Sequence, residues 1–216
     1  MTKTPITDCR LYGFVDTAYL AGRHPGDLAR QLIDGGIDLI QVRAKKEKLS
    51  KRIEILRAVV RAAQDTPVPI IVNDDLTAAG ETGADGVHLG QEDWAAIPRA
   101  ERLMRLLGLE ILGLSTHSVH QAQGAERDGA NYIGVGPVFA TATKPGRAPV
   151  GAELVHQVAR RVQTPFFAIG GITLDNLDEV LAAGARRIAV VSAILNAPDV
   201  TQAAATFKKR LTDGSP

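Results

Sequence analysis

Short apolar segments of this sequence are repeatedly followed by polar residues that could bind a ligand. The segment ending in QVRAK carries Gln41, Arg43 and Lys45 at alternate positions. Alternate side chains of a β-strand point to the same face, so these three are expected to share one face and Val42 to lie on the other. Similar polar groups end other apolar segments, and they read Asn73-Asp74-Asp75, Gln91-Glu92-Asp93 and Ser115-Thr116-His117.

Two further features predict sites for anions. The loop GPVFATATKPG contains Thr141, Thr143 and Lys144, two hydroxyls and one cation that suit an anionic ligand rich in oxygen. Two other segments end in Gly170-Gly171 and Val191-Ser192. Backbone N–H groups at such positions can bind phosphate where a side chain would otherwise obstruct it. The sequence therefore predicts two anion sites.

Asp74 and Asp93 add carboxylate oxygens to this set. Magnesium is commonly held by one or two carboxylates together with phosphate oxygens of a substrate. A magnesium-bound diphosphate is the ligand that matches these groups. The competing interpretation is that Asn73-Asp74-Asp75 only caps the helix that follows it.

The elements that must position these residues are indicated by a join that occurs four times. A helix-like segment, a glycine, two residues and an apolar run follow one another in GIDLIQV, GADGVHL, GANYIGV and GARRIAV. The leading glycines are Gly36, Gly83, Gly129 and Gly184. Glycine suits the left-handed residue just past a helix C-terminus, so each join is expected to end a helix and begin a strand.

Four other apolar runs lie between these copies, which gives eight strands in all. They are LYGFVD from Leu11, PIIVND from Pro69, ILGLST from Ile111 and FFAIGG from Phe166. Strands that alternate with helices favour a parallel sheet with right-handed crossovers, and eight such units predict a (β/α)₈ TIM barrel, with residues 1–216 as a single domain. The helix expected over 174–183 has a weak pattern and depends partly on Asp175. An open doubly wound sheet is the alternative.

Composition excludes several classes of function. Apolar residues make up 45% and the net charge is +1, values typical of a soluble globular protein. Neither a basic excess nor many aromatic residues are present, which argues against a nucleic-acid partner. The single cysteine, Cys9, cannot form an intrachain disulfide, and no apolar run is long enough for a signal peptide or a membrane span. A cytoplasmic enzyme with no membrane partner is expected.

The chain resembles the thiamine phosphate synthase family from LYGFVD to VVSAIL. Five segments occur in the family's order: VNDD, GADGVHLGQED, GLSTH, GPVFATATKPG and AIGGIT. The resemblance implies a barrel transferase that joins the diphosphate of hydroxymethylpyrimidine to hydroxyethylthiazole phosphate, giving thiamine phosphate and pyrophosphate. It implies Mg²⁺ as the cofactor, these two small molecules as partners, a carbocation-like substitution, and a homodimer as the candidate assembly.

The resemblance also implies residue roles. The pyrimidine diphosphate would be held by Gln41, Val42, Arg43, Ala44, Lys45, Asn73, Ser115 and Lys144. Of these, the catalytic residues would be Arg43, Lys45, Ser115 and Lys144. Mg²⁺ would be held by Asp74 and Asp93. The thiazole phosphate would be held by Thr141, Ala142, Thr143, Gly171, Val191 and Ser192. Ala44 stands where the family usually has an acidic residue, and we expect it to tune activity rather than abolish it.

Two other functions stay open at this point. A thiazole tautomerase of the same family would need a proton-transferring histidine such as His117. A non-catalytic sensor of phosphate ligands would have no need for the full set of Arg43, Asp74, Asp93 and Lys144. His88, inside an apolar strand, is expected to be a hydrogen-bonded residue of the barrel rather than a metal ligand.

Overall fold

A computed structural model describes residues 1–97, 108–141 and 148–213. Its strands are β1 Leu11–Asp16, β2 Leu39–Arg43, β3 Ile70–Asn73, β4 Gly86–Leu89, β5 Ile111–Thr116, β6 Tyr132–Val135, β7 Phe166–Ile169 and β8 Ile188–Ala189. Within the described residues the α-helices are α1 Pro25–Asp34, α2 Leu49–Ala62, α3 Leu76–Thr82, α4 Gln91–Ala96, α5 Val119–Arg127, α6 Gly151–Arg161, α7 Leu177–Ala182, α8 Ser192–Leu195 and α9 Val200–Asp213.

The eight strands form a closed parallel barrel in sequence order. Each strand pairs with the next one along the chain, and β8 pairs with β1. The predicted (β/α)₈ barrel is therefore confirmed, and the open doubly wound sheet is wrong. Closure in this order brings the C-terminal ends of all eight strands to one mouth, where barrel enzymes carry their active sites.

The repeated glycines end helices in the manner that the sequence predicts. Gly36, Gly83, Gly129 and Gly184 all have positive φ angles, between 70° and 98°. At Gly36 the N–H donates to the Ile33 carbonyl at 2.9 Å, and the next N–H, of Ile37, donates to Leu32 at 3.1 Å. These two bonds satisfy carbonyls at the helix end that would otherwise lack partners. Each copy thus turns the chain from a helix into a strand.

The same repeat also fixes the opposite rim of the barrel. The residue two places after the glycine accepts a hydrogen bond from the backbone of a neighbouring strand in three copies. Asp38 accepts from the Leu11 N–H at 2.9 Å, Asp85 from Ile70 at 2.7 Å, and Asn131 from Leu112 at 2.7 Å. In the fourth copy this position is Arg186, which has no acceptor. This rim serves the stability of the barrel.

Two local features differ from, or refine, the sequence analysis. The helix expected over 174–183 begins only at Leu177, because the Asn176 side chain accepts from the Thr173 N–H and donates to the Gly171 carbonyl, which holds the preceding segment in a turn. Cys9 is fully buried near the N-terminal rim, and burial raises the pKa of its thiol to about 12. No helix within the described residues has the length and apolarity needed to cross a membrane.

The rim contacts generate a stability prediction. Replacing Asp85 with Ala leaves the Ile70 N–H without its acceptor, so the free energy of unfolding should fall by about 1–3 kcal/mol. Urea denaturation followed by circular dichroism measures the change. Asp65→Ala is the control, because Asp65 is exposed and the substitution should stay within about 0.5 kcal/mol of the parent protein. Equal midpoints for the two variants would contradict the assigned role of Asp85.

Candidate active site

A cavity opens at the mouth formed by the C-terminal ends of the strands. It brings together many of the residues that the sequence singles out, contributed by six different strands or the loops after them. Those lining it are Gln41, Arg43, Asn73, Ser115, Thr141, Gly171, Val191 and Ser192. Apolar side chains such as Phe14, Phe167 and Ile169 complete the wall. Polar groups on a largely apolar wall are typical of a ligand site.

Arg43 is the cation that β2 directs to the cavity. Its register partner on β1 is Asp16, whose carboxylate lies 2.8 Å from Nη1 of Arg43. The Asp16 side chain is only 1% exposed, and its other oxygen accepts from the Ala18 N–H. Arg43 Nε is buried and has no hydrogen-bond partner among the described residues. The guanidinium is therefore held in place at the cavity wall.

Lys45 lies just beyond the end of β2 and does not line the cavity wall. Its Nζ lies 2.9 Å from the carboxylate of Asp74, and about half of the lysine side chain is exposed. Asp74 has a left-handed φ of 61° and accepts a second hydrogen bond from the Asn73 amide at 2.6 Å. Strained backbone of this kind is common at functional sites. The Asp74 carboxylate thus binds Lys45 and Asn73 and does not cap the following helix.

Asp75, the next residue, does cap that helix. Its Oδ1 accepts from the Ala78 N–H at 2.9 Å, and its other oxygen pairs with Arg52. The capping interpretation therefore applies to Asp75, whereas Asp74 is directed to Lys45. Val42 and Ala44 are buried and are not among the residues lining the cavity, as alternation along the strand requires.

Asp93 lies in the first turn of α4, directly after β4, and is exposed. Its carboxylate folds back over Gly90, so closely that a Cβ at that position would lie 2.7 Å from Oδ2. Glycine at 90 therefore leaves room for the carboxylate. Within the described part of the chain no group of three or more His, Cys, Asp or Glu residues is placed to bind a metal. Asp74 and Asp93 fit an ion that takes most of its ligands from water and a bound substrate, as Mg²⁺ does.

A second polar region follows β7 and β8. Gly170 and Gly171 have φ angles of 106° and 65°, and a Cβ on Gly171 would lie 2.5 Å from the Ala140 carbonyl oxygen. Glycine is therefore required there. Among the hydrogen bonds of the described residues, none uses the N–H of Gly171 or of Ser192. Both residues line the cavity, and backbone N–H groups without partners are donors of the kind that bind anions.

Three predicted site residues, Ala142, Thr143 and Lys144, lie outside the described residues. Of the same loop, Thr141 lines the cavity. His117 also lines it, and its Nδ1 contacts the Gly136 carbonyl oxygen. His88 is buried and bonded to Tyr132 and Ser115, which confirms that it is a hydrogen-bonded residue of the barrel.

Several residues of this site are not among those that the sequence predicts. Asp16 ends β1, and the rule that picked the ends of β2 to β8 would have found it if applied to the first strand. Tyr12 and Tyr132 also escaped notice, because a tyrosine in an apolar strand is ordinary core. Their hydroxyls nevertheless contact side chains that line the cavity.

A parallel (β/α)₈ barrel with anion donors at its mouth is typical of enzymes that act on phosphate-bearing ligands. Residues 11–194 match the thiamine monophosphate synthase family, and the chain belongs to that family. It is 40% identical over 195 residues to the thiamine-phosphate synthase of Halalkalibacterium halodurans, covering 89% of this chain and 90% of the relative. The Chloroflexus aurantiacus thiamine-phosphate synthase is 41% identical over 206 residues, which cover 94% and 93% of the two chains.

A solved structure agrees with these sequence relatives. Thiamine phosphate pyrophosphorylase from Pyrococcus furiosus superposes with a TM-score of 0.85 at 31% identity. The superposition covers 97% of this chain and 98% of that one.

The Asp16–Arg43 pair generates a prediction that needs no substrate. Asp16→Asn keeps the shape of the side chain but leaves the Arg43 charge without its partner. The free energy of unfolding should fall by about 3 kcal/mol, the lower end of the range for broken buried pairs, because Arg43 is 16% exposed. Inorganic pyrophosphate should then raise the melting temperature of the variant more than that of the parent protein, because the anion replaces the missing charge.

Thermal shift assays with and without pyrophosphate measure both effects. Asp65→Asn serves as the control, since it removes an exposed carboxylate that makes none of these contacts. A variant as stable as the parent protein, with the same response to pyrophosphate, would show that the pair neither stabilises the fold nor occupies an anion site.

Proposed function

We propose that this chain catalyses the thiamine-phosphate synthase reaction, a transfer in which hydroxymethylpyrimidine diphosphate and hydroxyethylthiazole phosphate give thiamine phosphate and pyrophosphate. The observation that carries the proposal is a mouth with two separate sets of anion donors. One set surrounds Arg43, whose guanidinium lines the cavity and is held by the buried Asp16 carboxylate. The other is formed by the N–H groups of Gly171 and Ser192. A reaction between a diphosphate and a monophosphate requires two such sets.

The diphosphate is assigned to the region of β2, β3 and β5. Arg43 supplies a fixed cation there, and Lys45 a mobile one that leaves Asp74 as the diphosphate binds. Gln41, Asn73 and Ser115 supply amide and hydroxyl groups from the cavity wall. The resemblance adds Val42 and Ala44, through their backbone, and Lys144. The monophosphate is assigned to Gly171, Val191 and Ser192, to which the resemblance adds Thr141, Ala142 and Thr143.

The chemistry follows from the substrates. The bond that breaks joins the exocyclic CH₂ carbon of the pyrimidine to the diphosphate oxygen, and its electron pair leaves with pyrophosphate. The amino-substituted ring stabilises the cation that forms on that carbon. The lone pair of the thiazole nitrogen then forms the new C–N bond, so the positive charge ends on the thiazolium ring. No nucleophile of the protein is required.

The protein's contribution is to bind the developing negative charge and to orient the two rings. Arg43, Lys45 and Lys144 interact with the leaving pyrophosphate more strongly as its charge grows, which lowers the barrier to departure. The apolar wall around Phe14, Phe167 and Ile169 keeps water away from the cationic carbon. Asp74 and Asp93 would hold Mg²⁺, which supplies Lewis-acid neutralisation of the diphosphate when bound.

The two alternative functions have less support. A tautomerase would have no use for a cation in the cavity wall held by a buried carboxylate, or for the two carboxylates Asp74 and Asp93 that follow neighbouring strands. A sensor has no reason to retain both sets of anion donors with apolar walls between them. We further propose that residues 1–216 act as one catalytic domain, in the cytoplasm, and that the homodimer is the assembly to test.

The decisive experiment is a pyrophosphate-release assay with the purified chain and Mg²⁺. Release should require both substrates, and thiamine phosphate should form in equal amount. Thiamine phosphate identified by mass spectrometry excludes hydrolysis of the diphosphate as the source. No product with both substrates present would contradict the proposal, and isomerisation of the thiazole alone would favour the tautomerase.

The metal assignment has its own prediction. Asp93→Ala should lower kcat at least about 10²-fold, the scale for removing one charge-stabilising group from an active site. Glu92→Ala is the matched control, because Glu92 is an exposed carboxylate of the same helical turn and should leave the rate unchanged. Full activity of the parent protein in excess chelator would contradict the role of Mg²⁺.

A further inference from the structure

A continuous chain of hydrogen bonds crosses the barrel interior beneath the cavity. Gln41 Nε2 donates to the Tyr12 hydroxyl at 2.6 Å, and that hydroxyl lies 2.7 Å from the hydroxyl of Tyr132. Tyr132 lies 3.1 Å from Nδ1 of His88, whose Nε2 lies 2.9 Å from Oγ of Ser115. Five strands contribute one residue each, in the order β2, β1, β6, β4 and β5. Four of the five residues line the cavity, and Tyr132 is the one that does not. The resemblance assigns the two ends, Gln41 and Ser115, to the pyrimidine diphosphate.

A glycine makes room for this series of hydrogen bonds. Gly113 on β5 is the register partner of Tyr132, and a Cβ at that position would lie 2.2 Å from Cζ of the tyrosine ring. The absence of a side chain at 113 therefore admits the ring to the barrel axis. Phe167 and Tyr12 pack edge-on against it, with ring centroids 5.5 Å and 5.6 Å away. The ring has no room to turn, so its hydroxyl is held between Tyr12 and His88.

Counting protons shows which group donates in each of these hydrogen bonds. Each phenol has one proton to donate, and the Tyr12 oxygen accepts from Gln41, so the Tyr12 proton goes to Tyr132. The Tyr132 proton then goes to Nδ1 of His88. His88 accordingly carries its own proton on Nε2 and donates it to Ser115 Oγ. The Ser115 proton is not used inside the chain, and His88 is the sole side-chain partner of Oγ among the described residues.

Burial keeps the two phenols in the form that this direction requires. Both are fully buried, and burial raises the pKa of the Tyr12 and Tyr132 hydroxyls well above the ordinary value. A raised pKa means that the neutral phenol persists throughout the physiological range. Both hydroxyls therefore remain donors as well as acceptors.

We propose that Tyr12, Tyr132 and His88 are positioning residues that set, together, which hydrogen-bonding group Gln41 and Ser115 each present to the substrate. In the direction above, Gln41 turns its amide oxygen to the cavity as an acceptor, and Ser115 turns its hydroxyl proton to the cavity as a donor. This rests on the proposed function: the acceptor matches the amino group of the pyrimidine, and the donor matches an oxygen of the departing diphosphate. If every hydrogen bond ran in the opposite direction, Gln41 would present a donor and Ser115 an acceptor. Neither would then match the substrate group that it faces.

The first test determines which nitrogen of His88 carries the proton, and it does not depend on enzyme activity. In protein labelled with ¹⁵N-histidine, His88 should give one signal of a protonated Nε2 and one of an unprotonated Nδ1. His88→Gln identifies those signals by their loss, among the five histidines of the sequence. A proton on Nδ1, alone or together with one on Nε2, overturns the proposed direction.

The second test asks whether Tyr132 acts through Ser115. Tyr132→Phe keeps the ring and removes only the hydroxyl, and it should lower kcat about tenfold, the change that corresponds to one hydrogen bond. In the Ser115→Ala background the same substitution should change kcat less than about twofold, because the group that it positions is gone. Equal effects in both backgrounds overturn the proposal, since a general loss of structure would lower kcat in either.

Two further variants keep the result interpretable. Thr82→Val removes another buried hydroxyl, which donates to the Ala78 carbonyl at 2.7 Å in α3 and does not line the cavity, and it should leave kcat unchanged. If Tyr132→Phe does not fold, Tyr12→Phe removes the neighbouring hydroxyl, and with it the hydrogen bonds to Gln41 and Tyr132. The same comparison with and without Ser115→Ala then applies. Failure of the proposed function would show as an inactive parent protein, whereas failure of this inference requires an active one or the wrong tautomer of His88.

Discussion

Every polar side chain inside the barrel needs a partner, because an unpaired donor or acceptor removed from water costs about 1–3 kcal/mol. This requirement connects the core to the site. Asp16 is held by Arg43, Gln41 by Tyr12, and Ser115 by His88. Each pair joins a group at the mouth to one embedded in the barrel wall or interior. The side chains that meet a ligand are therefore positioned by the same contacts that allow the interior to be polar at all.

The need to pair polar groups has different consequences at the two rims of the barrel. At the N-terminal rim, Asp38, Asp85 and Asn131 accept from backbone N–H groups of neighbouring strands. At the C-terminal mouth, the N–H of Gly171 and the Nε of Arg43 have no partner among the described residues. Side chains that pair with backbone N–H groups stabilise one rim, whereas backbone N–H groups without partners at the other are donors of the kind that bind anions. Stability and binding are thus separated along the barrel axis.

The strands, their order and much of the mouth could be predicted from the sequence, because glycine-ended helices repeat and parallel closure has few solutions. Alternation along β2 correctly brought Gln41 and Arg43 to the cavity. It could not place Lys45, since β2 ends at Arg43 and the chain then leaves the pleat. Contacts between strands that are distant in the sequence could not be predicted either. Nothing in local sequence indicates that Tyr132 is bonded to Tyr12, 120 residues away, or that Asp16 faces Arg43.

Charge at the mouth supports a divalent cation there. Within the described part of the site, Arg43 is balanced by Asp16 and Lys45 by Asp74, and Asp93 adds a further negative charge. These residues together have no net positive charge with which to attract a diphosphate. Two changes would supply it: Lys45 would leave Asp74 for the ligand, and the proposed Mg²⁺, for which Asp74 and Asp93 are the candidate ligands, would add positive charge. Binding of the metal would make the departure of Lys45 less costly, because the Asp74 carboxylate would then keep a positively charged partner. Ligand and metal are therefore expected to bind cooperatively, and Lys144 to add charge from the loop after β6.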